Sequence, residues 1–250
     1  MRDYIFIDRR RVEMIFGQFS DLRSRRPRRR RTLGLSGAVP KFEWVEETCD
    51  TLPTAYEQID MLMEILQERN LVAKHRPQQC PDRERDRPFV FEEINAIRLV
   101  FPKAALENLP GLNELAVWIA EPAENELSLG PYDWTGCFLY LTETWFDEKY
   151  NGSLVSGCSA LQMIKNFIDG GVIYRLSSMG EEALGRGTFL HPVKKLIDCG
   201  AMSTGEVRKI SSLYLKRYFT DEQCFSLSGV NYRTNDLLGY PLFIARELSR

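Results

Sequence analysis

The sequence predicts an α+β fold, a mostly antiparallel central sheet with helices packed on it, in one domain or two subdomains. Three observations predict it. Two apolar runs, LAVWIA (Leu115–Ala120) and CFLYLT (Cys137–Thr142), read as strands that are apolar on both faces, which places them mid-sheet. The run CSALQMIKNFID (Cys158–Asp169) reads as a helix that lies across that sheet. Finally, 44% of the 250 residues are hydrophobic, enough for a substantial core. In the helix, Gln162, Lys165, Asn166 and Asp169 share one face, while Ala160, Leu161, Met163, Ile164, Phe167 and Ile168 fill the rest. Ser156 is the expected N-cap and Gly170-Gly171 the expected stop. The subdomains expected are 1–110 and 111–250.

The other elements follow in order. Tyr4–Ile7 is a short apolar strand, and Asp8 caps a helix whose stripe is Val12, Ile15, Phe16 and Phe19. From Arg23 to Arg31, seven of nine residues are Arg; the run repels itself and is expected to be a mobile loop. Leu33–Trp44 is extended, with turns. Thr54 and Glu57 form a capping box for a helix that buries Ala55, Ile59, Leu62, Met63 and Leu66. Asn70 ends it in the left-handed conformation. Leu71–Ala73 starts a strand, His75–Arg87 is a loop, and Phe89–Glu92 with Ile97–Phe101 form a strand pair. Pro102–Leu109 is a short helix and Pro122–Pro131 a polar loop between the two central strands. Val172–Leu176, Ile210–Phe219, Cys224–Leu227 and Pro241–Ala245 are further strands. Pro192–Cys199 is a helix with Pro in its first turn.

Charge is unevenly spread. The net charge is −2, but residues 1–31 carry +7 and the remaining 219 carry −9. Such asymmetry bears on partners rather than fold. No run of 18 apolar residues and no signal-peptide core occur, so a cytoplasmic protein without a membrane span is expected. The six cysteines (Cys49, Cys80, Cys137, Cys158, Cys199, Cys224) lack paired spacing and read as free thiols. With His75 and His191 as the two histidines and no C-x-x-C, neither a structural zinc nor another cofactor is expected.

Four stretches could carry chemistry or binding. Cys158 falls in the first turn of the central helix, where the dipole favours a thiolate and free N–H groups favour an oxyanion. His191, oriented by Asp198 or Asp169, would complete the Cys, His, acid order of a thiol hydrolase. Against this, Gly157, Ser159 and Ala160 suit a closely packed helix–sheet contact, with Cys158 a small core residue. Arg23, Arg25, Arg26, Arg28, Arg29, Arg30 and Arg31 could grip nucleic-acid phosphates or dock on an acidic partner. Tyr232, Arg233, Asn235 and Asp236 could line a ligand pocket in the polar stretch Asn231–Tyr240; the competing reading is an Asx-stabilised turn. Asp133 and Asp147-Glu148-Lys149 imitate a metal nuclease poorly and read as solvated charge. The helix, strand, loop, strand order of residues 55–101 also fits a winged-helix fragment, but its helix face carries Glu57, Asp60, Glu64 and Glu68 and, apart from Arg69 and Lys74, lacks the basic residues a DNA reader needs.

The opening Tyr4-Ile5-Phe6-Ile7-Asp8, followed by Val12, Ile15, Phe16 and Gln18, resembles the start of an uncharacterised bacterial family. Members begin with a strand ending in Leu-Asp and a short helix ending near Ala-Gln. A Gly-rich extended segment follows, then a helix closing in a Leu-x-x-Arg-Gly-Leu-Val pattern. Leu33–Val39 and Leu66–Val72 fit that order over roughly the first hundred residues; the Arg run and Asn70 in place of Gly depart from it. The resemblance implies a part in prokaryotic antiviral or conflict systems and supplies no catalytic residue. The leading expectation is therefore a non-enzymatic interaction or regulatory module, an accessory or sensor of a bacterial, CRISPR-like defence system. Its expected partner is another protein. The alternatives are the Cys158/His191 hydrolase and nucleic-acid binding through Arg23–Arg31.

Overall fold

The computed structural model describes residues 2–20, 28–34, 41–47, 53–77, 82–107, 109, 111–120, 134–136, 138–145, 160–168, 192–219, 223–227, 230–234 and 236–247. The chain forms two compact units, Arg9–Arg69, and Met1–Asp8 together with Asn70–Arg250. The expected boundary at residue 110 falls inside the second of these.

Strand β1 (Arg2–Ile7) belongs to the larger unit. The smaller unit holds helix α1 (Arg9–Ser20), strands β2 (Arg28–Gly34) and β3 (Lys41–Glu47), and helix α2 (Ala55–Glu68). α2 forms where the capping box predicts it. The Glu57 N–H donates to Thr54 Oγ1 at 3.3 Å and the Thr54 N–H to Glu57 Oε2 at 2.9 Å, satisfying two donors that a helix start leaves open. Ile59, Leu62, Met63, Ile65 and Leu66 are its buried stripe. Asn70 takes a φ of 55°, the left-handed conformation that Asn tolerates better than most residues.

The arginine run departs from the mobile loop expected. Arg28 to Arg31 lie in β2, antiparallel to β3, with Arg28 opposite Glu47 and Arg29 opposite Glu46. Arg23, Arg25 and Arg26 lie outside the described residues.

In the larger unit come β4 (Val72–Ala73), the single turn α3 (Asp82–Arg85), β5 (Phe89–Pro102) and a 3₁₀ turn at Lys103–Ala105. β6 (Glu114–Ala120), β7 (Trp134–Gly136), β8 (Leu139–Thr142), α4 (Ala160–Ile168) and α5 (Pro192–Asp198) follow. The chain finishes with β9 (Met202–Ser203), β10 (Arg208–Phe219), β11 (Gln223–Leu227), β12 (Val230–Thr234) and β13 (Leu237–Glu247).

These elements correct the α+β expectation. The described chain is mostly strand, its helices are few and short, and five strands close into a mixed barrel. The circuit runs β5, β6, β8, β13, β10 and back to β5. All its pairings are antiparallel except β8 with β13. Closure comes from long strands that change neighbour along their length. Phe89–Glu92 and Ile97–Phe101, expected to pair with each other, are two halves of β5. Phe89 to Ala96 pairs with β10, and Ala96 to Pro102 pairs with β6. β13 likewise pairs with β8 at Leu237–Gly239 and with β1 at Phe243–Glu247. Pro241 is tolerated inside β13 because it sits at a register shift, where a ladder hydrogen bond is already lost. β11, β12 and β7 form a separate three-stranded sheet.

Closure explains why the central strands are apolar on both faces. Val90, Ile94, Ala96, Trp118, Ala120, Leu139, Leu141, Ile210, Tyr214, Leu237 and Ile244 form one core cluster, which fills the barrel. The alternate residues, among them Leu99, Phe101, Val117, Ile119 and Tyr140, form the second cluster. There they meet Ala160, Ile164, Phe167 and Ile168 of α4 and Leu196 of α5. Burying Ile164, Phe167 and Ile168 contributes roughly 1.5–3 kcal/mol each. A barrel of five strands is narrow enough for side chains to fill. Gly239 measures how tightly: a Cβ there would lie 2.6 Å from Tyr214 Cδ2 and 2.9 Å from Leu141 Cδ2. A buried ion pair is enclosed with the apolar side chains. Glu92 accepts from the Tyr214 hydroxyl at 2.7 Å and pairs with Arg76 Nε at 3.4 Å, with both charged side chains 4% exposed.

Candidate functional site

One end of the barrel opens into a cavity of about 370 Å³ lined by Ile5, Arg98, Trp118, Glu143, Thr204, Glu206 and Arg208. Its floor is a fixed polar cluster. Arg98, at a position of β5 that faces the barrel, donates from Nε to Glu143 Oε1 at 3.0 Å and from Nη2 to Glu143 Oε2 at 3.2 Å. This two-pronged geometry is the strongest form of carboxylate pairing. The Trp118 indole N–H adds a third bond to Glu143 Oε1 at 2.9 Å, and the Arg98 guanidinium lies 5.9 Å from the Trp118 ring centroid. Glu114 stands at 3.7 Å from Arg98 Nη2, on the outer side of the cluster. Arg98 thus stands between two carboxylates, with its Nε and Nη2 committed to Glu143.

The rim is built differently. Thr204 is pinned to β5, since both its N–H and its hydroxyl donate to the Arg98 carbonyl at 3.1 Å. Gly205 follows with a φ of +147°, a backbone conformation that a side chain would resist, and its N–H donates to Ser203 Oγ. Thr204, Glu206 and Arg208 then line the cavity at a period of two, while Val207 between them is 58% exposed. The side chains of Glu206 and Arg208 make no hydrogen bond or ion pair among the described residues. Ile5 is the extra residue of a bulge in β1, between the pairs Tyr4–Ala245 and Phe6–Ile244. The bulge re-aims its side chain to the cavity.

A second feature lies away from the mouth. Asp236, between β12 and β13, is 1% exposed. Its carboxylate accepts from the Phe138 N–H at 3.4 Å and from the Leu161 N–H in the first turn of α4. Burial pushes its pKa up to about 7, and the two backbone bonds only partly offset that. Tyr140 beside it is driven well above its ordinary value, first by burial and then by the Asp236 charge.

The residues singled out from the sequence fall elsewhere. Cys158, His191 and Asn235 lie outside the described residues, as do Asp169, Asp133 and Asp147-Glu148-Lys149. Asp198 is exposed at the end of α5. Tyr232 and Arg233 belong to β12 rather than to a loop, paired with Phe225 and Cys224 of β11. Asp236 is buried and anchors backbone rather than facing solvent. No group of three or more His, Cys, Asp or Glu among the described residues could hold a metal ion. No helix among them is long and apolar enough to cross a membrane.

The mouth residues escaped sequence reasoning, although signals existed. Arg98 is a lone charge in the apolar run AIRLVF, Glu143 ends the second central strand, and Thr204, Glu206 and Arg208 alternate with small or apolar neighbours. Charges that interrupt a doubly buried strand are costly unless partnered, so each marks a place where the burial ends. No protein-family model matches this chain, and nothing among curated proteins or solved structures matches it either.

Proposed function

We propose that this chain is a non-enzymatic recognition module that binds its ligand at the mouth of the barrel. The observation that carries this reading is the contrast between floor and rim. The Arg98–Glu143–Trp118 cluster is held rigid by three hydrogen bonds, and beside it two opposite charges, Glu206 and Arg208, stand uncommitted. Rigid backing with free polar groups at the edge is what a preorganised binding site requires. The resemblance of Tyr4–Asp8 and the helix after it to a bacterial family supports placing the module in a defence system, as an accessory or sensor.

The test is a thermal-shift screen of the full chain against small-molecule classes, with each stabilising compound recovered and weighed by mass spectrometry. A recognition module returns its ligand unchanged and does so equally as the Cys158→Ala variant. No stabilising class at all, or a ligand that is turned over by the wild type and left intact by Cys158→Ala, overturns the reading; the second result points to the hydrolase instead.

A further inference from the structure

We propose that the barrel mouth takes a zwitterionic ligand of amino-acid size, an α-amino acid with an apolar side chain. Its carboxylate sits on Arg208, its ammonium on Glu206, and its side chain on Ile5. This deepens the recognition reading and rests on it.

Four observations lead there. The first is charge balance. The cavity is lined by two arginines and two glutamates, so its summed charge is zero. A nucleotide or polyphosphate would bring several negative charges against Glu143 and Glu206 with one uncommitted arginine to meet them. The second is availability. Arg98 and Glu143 neutralise each other through two bonds, and the Trp118 indole N–H shares Glu143 Oε1 with Arg98 Nε. The charges left for a ligand are one cation and one anion, Arg208 and Glu206.

The third observation is their spacing. Glu206 lies in the bend after Gly205 and Arg208 two residues on at the start of β10, and both line the same cavity. They do not pair with each other, and a ligand that carries both charges on adjacent groups can bridge them. Thr204 pinned to the Arg98 carbonyl and the bend at Gly205 hold this segment in place before anything binds. The fourth is the bulge at Ile5, a 36% exposed apolar side chain that lines the same cavity. A cavity of about 370 Å³ lies at the small end of the range for ligand pockets, roughly 300–1,000 Å³.

The experiment measures binding to the full chain by calorimetry, with leucine as the zwitterion and two analogues that each lack one charge, 4-methylpentanoate and 3-methylbutylamine. Leucine is expected to bind at least about tenfold more tightly than either analogue, since each deletes one charge-assisted contact. Arg208→Gln and Glu206→Gln are each expected to weaken leucine by about tenfold or more. Both side chains are exposed and unpaired, so the melting temperature without ligand stays at the wild-type value. Lys209→Gln, which removes a neighbouring surface charge paired with Glu93, leaves leucine binding unchanged. The inference is overturned if leucine binds no better than its single-charge analogues, or if neither neutralising variant weakens it. If another ligand class stabilises the protein in the screen above and leucine does not bind, this inference falls while the recognition reading stands.

Discussion

Replacing Asp236 by Asn should make the protein more stable at neutral and alkaline pH, and by an amount that vanishes in acid. Asp236 is buried, and its folded-state pKa of about 7 stands against an ordinary value of 3.8. That difference corresponds to roughly 4 kcal/mol by which ionised Asp236 penalises the folded state. The sign follows from proton binding. Between the two values the folded chain holds the proton and the unfolded chain does not, so raising the pH favours unfolding. The stabilising contribution of the protonated group is complete below 3.8 and is lost as pH rises to about 7. Asn never ionises. It keeps one acceptor oxygen for the N–H groups of Phe138 and Leu161, and loses about 1 kcal/mol relative to a carboxylate that serves both. The variant should therefore exceed the wild type by roughly 2–3 kcal/mol at pH 8, with the gap closing towards pH 4. Urea unfolding followed by circular dichroism at a series of pH values measures it. A gap that does not change with pH, or a variant less stable than wild type at pH 8, would refute the reasoning.

Other expectations concern the barrel and its mouth. Gly239→Ala forces Tyr214 and Leu141 apart and should cost about 1–3 kcal/mol in urea unfolding, with the melting temperature falling accordingly. Glu92→Gln leaves the Arg76 charge enclosed without its counter-ion and should cost about 3–5 kcal/mol, measured the same way; a loss under 1 kcal/mol would mean that the pair is hydrated. Glu143→Gln removes the charge that Arg98 and Trp118 share and should cost about 1–2 kcal/mol, because the cluster is only partly buried. A shift in the indole N–H resonance of Trp118 should accompany it, and an unmoved resonance would contradict the bond.

Where a few neighbouring residues carry the information, the sequence alone determined the outcome. Thr54 and Glu57 start α2 because the capping box is a contact between residues three apart, and Asn70 follows its end with a positive φ. The helix at Ala160–Ile168 buries Ala160, Ile164, Phe167 and Ile168 of the apolar positions that its period names, and LAVWIA and LYLT are strands covered on both faces. Only the tertiary structure decided that those two faces are the inside and outside of a closed barrel, because an apolar alternation is the same whether the sheet is flat or curled. Closure depends on β5 and β13 exchanging neighbours halfway along, and nothing local distinguishes that from two short strands. The mouth was out of reach for the same reason. Ile5, Arg98, Trp118, Glu143, Glu206 and Arg208 come from distant parts of the chain, and the sheet's pairings bring them to one cavity. Side-chain type set what each could do there, and the path of the backbone set which of them would stand together.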